Sequence, residues 1–268
     1  MPATQRQRAI AVRIVIVLIV AAAVIAPFAS IPVSRVDAFI PVLQTVVCVV
    51  DLVTATLLFA QFSIQPQLAL LALASGYIFS GSFAFLQTLA FPGAYAPAGL
   101  IGDGPNTPAW LYVLWHTTFP AMILIYAFSK DTIGASKLLG RSTRATIAIT
   151  VACVLAVIAG LTWIVTTNTE YLPVLFTTDV RFQTRLGNRI NVALWLWGAT
   201  ALTVLLFRRR TMLDLWLIVT LLAYMVWGNK LGSLKWVNVR SRNKSVVAMH
   251  SLSLDMRRCL DLWPRLQF

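Results

Sequence analysis

Gln44, Cys48, Asp51 and Thr54 follow one another at intervals of four, three and three residues inside the apolar run 39–62. Those intervals set all four along one face of a helix. A carboxylate at the centre of a membrane-crossing helix costs about 2.5–3.5 kcal/mol on insertion scales. Asp51 is therefore expected to face protein or enclosed water and not acyl chains. Two chemistries fit the pattern. In one, Asp51 is the charge of a ligand, ion or proton site, with Gln44 and Thr54 as neutral hydrogen-bonding partners. In the other, Asp51 is protonated or bonded to a neighbouring helix and only fixes packing.

His116, in WLYVLWHTTFPAMI, is the sole histidine before the C-terminal tail. Pro120 lies four residues on and has no amide proton for the His116 carbonyl. A kink with a free acceptor is expected at the histidine. That makes Pro120 a candidate hinge and His116 either a pH- or ligand-sensitive group or an inert buried imidazole. Paired-histidine haem ligation is excluded, because no second histidine lies in the apolar runs. Gly81-Ser82 beside His116 does not make a serine nucleophile, which needs a base within reach and oxyanion donors. Small residues such as Gly76, Ser80 and Ser82 more often let helices approach closely. There is no phosphate-cradling loop, metal-ligand spacing or cofactor fingerprint. No catalytic residue, metal or cofactor is expected.

The elements that must position these groups are membrane spans. Hydrophobic residues make up 59% of the 268 and charged ones 12%, against about 25% charged in soluble domains, and mean hydropathy is +0.79. Runs of ~20 apolar residues cross ~30 Å of hydrocarbon as helices. Candidates are 10–29, 38–61, 68–91, 108–128, 145–166, 192–207 and 213–227, the last two short. The runs are continuous and do not alternate, which disfavours a barrel. The expected fold is all-α, a polytopic transmembrane helix bundle of about seven spans, with no internal repeat. The net charge of +13 sits mostly at the ends of apolar runs. It reads as topology anchoring and attraction to anionic head groups, not nucleic-acid binding. Arg6, Arg8 and Arg13, then Lys130, Lys137, Arg141 and Arg144, then Arg208, Arg209 and Arg210 fall on one side. The positive-inside rule puts that side, and the N-terminus, in the cytoplasm. The arginines resemble the start of a signal peptide, but the first run is read as an uncleaved span.

Several connections carry their own expectations. The Gly- and Pro-rich stretch 91–108 is expected to be an irregular lid over the outer mouth of the bundle. Trp110, Tyr112 and Trp115 after it suit an interfacial aromatic belt. Arg181, Arg185 and Arg189 recur every four residues, which suggests a short helix on the outer head groups. Cys48, Cys153 and Cys259 form no framework and read as small apolar side chains or tail. After Trp227 the pattern breaks. Residues 228–268 are basic, without sustained period, so the chain divides into a membrane domain at 1–227 and a tail at 228–268. The tail is either a native lipid-hugging segment or the product of a frameshift near Trp227.

Strings over 31–62, 73–127 and 207–217 resemble the bacterial membrane-associated sensor domains called MASE, specifically the fourth family of that series. The most specific parts are Phe91-Pro92-Gly93, Trp115-His116 with Phe119-Pro120, and the arginine-rich turn before Leu213-Asp214-Leu215-Trp216. The resemblance covers about 13–223 and implies an integral input module of the bacterial cytoplasmic (inner) membrane. Such modules are usually fused to a GGDEF cyclase or histidine kinase domain. No GGDEF string, phospho-acceptor helix or ATP-binding motif is present, so no enzymatic output is expected and the chain reads as truncated. The expected partners are the lipid bilayer, an unknown small ligand, and a separate signalling protein or a second copy of the chain. The rival reading is a small multi-pass transporter or channel that uses Asp51.

Overall fold

In lipid every backbone polar group must find its partner inside the protein, so apolar runs of this length become helices. The computed structural model describes residues 4–25, 39–97, 99–102, 106–130, 142–176, 183–208 and 211–225. They form α1 (Gln5–Ile25), α2 (Phe39–Ile64), α3 (Leu68–Ala90), α4 (Asn106–Ser129), α5 (Thr143–Thr167) and α6 (Arg185–Phe207), followed by α7 (Met212–Met225). Helices α2 to α6 are long and apolar enough to cross a membrane. The all-α polytopic bundle expected from the sequence is therefore the architecture observed.

Local chemistry explains the boundaries. Thr4 and Gln7 cap α1 reciprocally: Gln7 Oε1 accepts the Thr4 amide at 3.0 Å and Thr4 Oγ1 accepts the Gln7 amide at 3.4 Å. Pro66 ends the α2 ladder, and the chain reverses within Gln65-Pro66-Gln67 before α3 starts. Ser142 accepts the Ala145 amide at 3.3 Å and Thr184 the Gly187 amide at 3.0 Å, capping α5 and α6. Between α3 and α4 the chain folds back as turns, with the Leu100 amide on the Leu89 carbonyl at 2.8 Å. Gly99 has φ +91°, and a Cβ there would lie 2.7 Å from the Ala90 carbonyl oxygen, so only glycine fits this fold-back.

Helix α3 is the hub. It is buried along most of its length, with α2, α4 and α5 packed against it. Two apolar clusters divide the bundle. Phe62, Leu73, Ile123, Leu205, Leu217 and Leu221 fill the half where α4 ends and α7 begins. Ala55, Phe83, Leu111, Val154 and Ile158 fill the other half. Exposed Val46, Val49, Val50 and Val53 of α2, with Leu155, Val157 and Trp163 of α5, form apolar outer faces suited to a bilayer.

Two expectations change. The sixth span is not short: α6 starts at Arg185 and runs 23 residues. Arg185 and Arg189 are exposed in its first turns, where long cationic side chains reach the interface while the helix continues. They belong to a spanning helix and not to a separate surface helix; Arg181 lies outside the described residues. Helix α1, the first expected span, is a 21-residue helix. Residues 226–268 lie outside the described residues, so the tail expectations do too.

Candidate functional site: a polar chain through the helix core

On α2, Gln44, Cys48 and Asp51 are all buried, at 7%, 9% and 8% exposure. The buried face then continues through Ala55, Leu58 and Phe62. Thr54 is off that face. It is half-buried, and its hydroxyl donates to the Val50 carbonyl at 2.8 Å. At 3.6 residues per turn the stripe follows Asp51 to Ala55, which leaves Thr54 at its flank.

Asp51 lies at a close approach of α2 and α3. A Cβ on Gly81 would sit 3.2 Å from both Asp51 Cβ and the Cys48 carbonyl oxygen. Ser80, one residue before, is within side-chain hydrogen-bonding reach of the Asp51 carboxyl. The Ser80 hydroxyl in turn accepts Trp115 Nε1–H of α4 at 2.8 Å. Asp51 Oδ2 is buried without a partner.

The chain continues into α4. Trp115 meets His116 edge-on at 4.8 Å between centroids. Tyr112 stacks on the imidazole at 3.6 Å, and Tyr224 of α7 lies 4.9 Å away. His116 Nδ1 is 2.9 Å from the Tyr112 carbonyl oxygen. With a proton on Nδ1 that bond forms and Nε2 keeps the lone pair. Pro120 is buried inside α4, and the carbonyl it leaves free does have a donor: Tyr224 Oη–H reaches the His116 oxygen at 3.1 Å. The next carbonyl, Thr117, accepts Trp197 Nε1–H of α6 at 3.1 Å. The proline gap is thus where α6 and α7 are fastened to α4. Gly198 makes room, since a Cβ there would lie 3.2 Å from Tyr224 Cε1.

Asp51 and His116 therefore lie on one route, Asp51–Ser80–Trp115–His116–Tyr224, across α2, α3, α4 and α7. Gln44 belongs to a separate network. Its Nε2–H donates to Gln87 Oε1 at 2.7 Å and its Oε1 accepts the Thr88 hydroxyl at 2.9 Å. Gln87 Nε2–H continues to the Pro108 carbonyl at 3.0 Å. With both ends of its amide engaged, Gln44 ties α2 to α3 and α4.

The family described as MASE4, membrane-associated sensor, integral membrane domain, matches residues 34–243, more than half of the chain. The chain belongs to this family. It is an integral-membrane sensor domain with the bilayer around its spans. The match passes Trp227 and ends at residue 243. No curated protein and no solved structure matches the chain.

Within this MASE4 domain several residues carry no linear signal of their roles. Ser80 is the α3 serine within reach of the Asp51 carboxyl, which its place in the sequence does not single out from Ser82. Trp115 donates to Ser80 and Tyr112 stacks on His116, while Trp110 donates to the Pro173 carbonyl at 3.1 Å. Asp214 is fully buried and pairs with Lys130 at 2.9 Å. It accepts Tyr126 Oη–H at 2.7 Å and the Thr211 amide at 2.9 Å, while its own amide donates to Thr211 Oγ1 at 3.3 Å. Thr211 and Asp214 thus form the capping box of α7. Lys130 Nζ also donates to the Arg208 carbonyl, and Arg208 Nη1–H to the Ala127 carbonyl at 3.0 Å. This knot fastens the end of α4 to the α6–α7 turn. Among the described residues no group of three or more His, Cys, Asp and Glu side chains could hold a metal ion.

The Gln44 network yields a direct expectation. Gln44→Leu in lipid nanodiscs lowers unfolding stability by about 1 kcal/mol, within the range of hydrogen bonds between membrane helices. Denaturant unfolding followed by circular dichroism measures it. A Gln44→Leu protein as stable as the parent removes the structural role assigned to this amide.

Proposed function

We propose that the route from Asp51 to Tyr224 is the part of the domain that receives a signal, and that α7 is the element it moves. The observation that carries this reading is the Tyr224 bond to the carbonyl vacated by Pro120. A hydroxyl holding one helix to another at a proline gap has a discrete alternative, unbonded position. A ligand acts on such an element only through different affinities for its two packings. Asp51, Ser80 and His116 are the polar groups of the proposed site. Gln44 positions α2, and Thr54 stands beside the site. The domain is read as non-catalytic, in the bacterial cytoplasmic membrane with its N-terminus in the cytoplasm, as the arginine clusters require. Its output passes to a signalling protein or to a second copy of the chain.

Pro120→Ala tests it. Alanine restores an amide donor for the His116 carbonyl, which then competes with Tyr224. With 3-fluorotyrosine at position 224 of the full chain in nanodiscs, fluorine resonances report bonded and free states. Two resonances are expected, and Pro120→Ala moves their ratio about threefold toward the free state, the equivalent of roughly 0.6 kcal/mol. One resonance that Pro120→Ala does not move defeats the sensing route. Solute flux through proteoliposomes that disappears in Asp51→Asn favours transport instead.

A further inference from the structure

We propose that Asp51 binds a proton as its ligand: the carboxyl is neutral in this bundle, and loss of that proton is the event that the route to Tyr224 reads. This proton site rests on the sensing role of that route and adds what is sensed.

The two carboxyl oxygens have unlike surroundings. Ser80 accepts Trp115 Nε1–H, so its own hydroxyl proton is free for the nearby carboxyl. That proton can serve one oxygen. The other, Oδ2, is buried with no partner. An ionised oxygen there would lack any donor, and an unpaired buried charge is among the costliest groups in a protein. An acid O–H has different needs: it requires an acceptor. The Cys48 carbonyl oxygen lies on the same side of α2, crowded with Asp51 against Gly81. Around Oδ2 the described residues place no donor, which a carboxylate there would need.

Among the described residues no cation relieves the charge. On α2 the titratable neighbour is the Cys48 thiol; on α3 it is the Tyr77 hydroxyl. Helix α4 contributes Trp115, with His116 behind it. Helix α5 contributes Val151, Val154 and Ile158 to this half of the bundle, none titratable. Among the described residues the ion pair is Lys130–Asp214, at the end of α4. On ionisation the O–H bond of Asp51 breaks, its electron pair stays on Oδ2 and the proton passes to water. The new anion draws the Ser80 hydroxyl, and Trp115 follows Ser80, so the ring against His116 is displaced.

Infrared spectroscopy of the full chain in phosphatidylethanolamine–phosphatidylglycerol nanodiscs tests this. In potassium buffer at neutral pH, a protonated-carboxyl C=O band is expected and is lost in Asp51→Asn. Ser80→Ala, which keeps the acid, shifts the band to higher wavenumber, so the result does not depend on Asp51→Asn folding. A spectrum without the band overturns the proposal. So does a band unchanged in both Asp51→Asn and Ser80→Ala, or one that sodium replaces, which marks a cation site. In the fluorotyrosine experiment, the ratio at position 224 is expected to change with pH in the parent and not in Asp51→Asn. Two resonances with a pH-independent ratio defeat the proton and leave the sensing route standing. A single resonance with the infrared band intact does the reverse.

Discussion

Lys130→Met lowers the unfolding free energy of the full chain in nanodiscs by about 3 kcal/mol, the low end for breaking a buried ion pair. The loss comes from what remains. Asp214 has 0% side-chain exposure, so without the ammonium group a carboxylate stays buried. Tyr126 and the Thr211 amide still donate to it, which keeps the cost at the lower end. Asp214→Asn alone costs less. Its amide can still cap α7, and Lys130, at 9% exposure, lies at a helix end where a long side chain can turn to the interface. Combining Asp214→Asn with Lys130→Met recovers most of the loss, because the stranded charge is gone. Denaturant titrations of the two single variants and the double variant give the coupling directly. A Lys130→Met protein as stable as its parent, or a double variant no better than Lys130→Met, sinks the buried-pair account of the knot.

Gly76→Leu costs about 2–3 kcal/mol, the upper part of the range for overpacking a core. Even one added carbon at Gly76 would sit 2.7 Å from Met122 Cβ. Cβ atoms are anchored to their backbones, so α3 and α4 must separate. Close approach at small residues is a main source of attraction between helices in lipid, where the hydrophobic effect does not drive association. Met122→Gly is expected to restore part of the stability of Gly76→Ala. Gly160 is the contrast: a Cβ there meets nothing within 4 Å. Gly160→Ala is expected to stabilise by roughly 0.5–1 kcal/mol through helix propensity alone. Equal effects at positions 76 and 160 would show that contact between α3 and α4 is not what Gly76 serves.

The helical periodicity of α2 is legible in the order of its residues. Gln44, Cys48 and Asp51 share a buried face because 3.6 residues per turn is a property of the backbone alone. Thr54 shows the limit of that reasoning. A spacing of three keeps a residue near a face, and which edge of the stripe is covered depends on the neighbouring helix. Pro120 is legible as a gap in the α4 ladder, since a missing amide proton is a covalent fact. That Tyr224, 108 positions after His116, fills the gap is not. Nor is the pairing of Lys130 with Asp214, 84 positions apart. Along the chain, Lys130 counts as a topology charge and Asp214 as part of a family pattern.

Sequence by itself determined that this chain enters the membrane as helices, roughly where each begins, and that Asp51 must turn inward. Transfer into lipid and backbone hydrogen bonding are decided residue by residue and turn by turn, so they leave a linear trace. Tertiary structure alone decided which polar groups meet: Asp51 with Ser80, Ser80 with Trp115, the His116 carbonyl with Tyr224. Lipid offers no polar partner and favours no one pairing, so those choices follow from how closely α2, α3, α4 and α7 approach at their small residues.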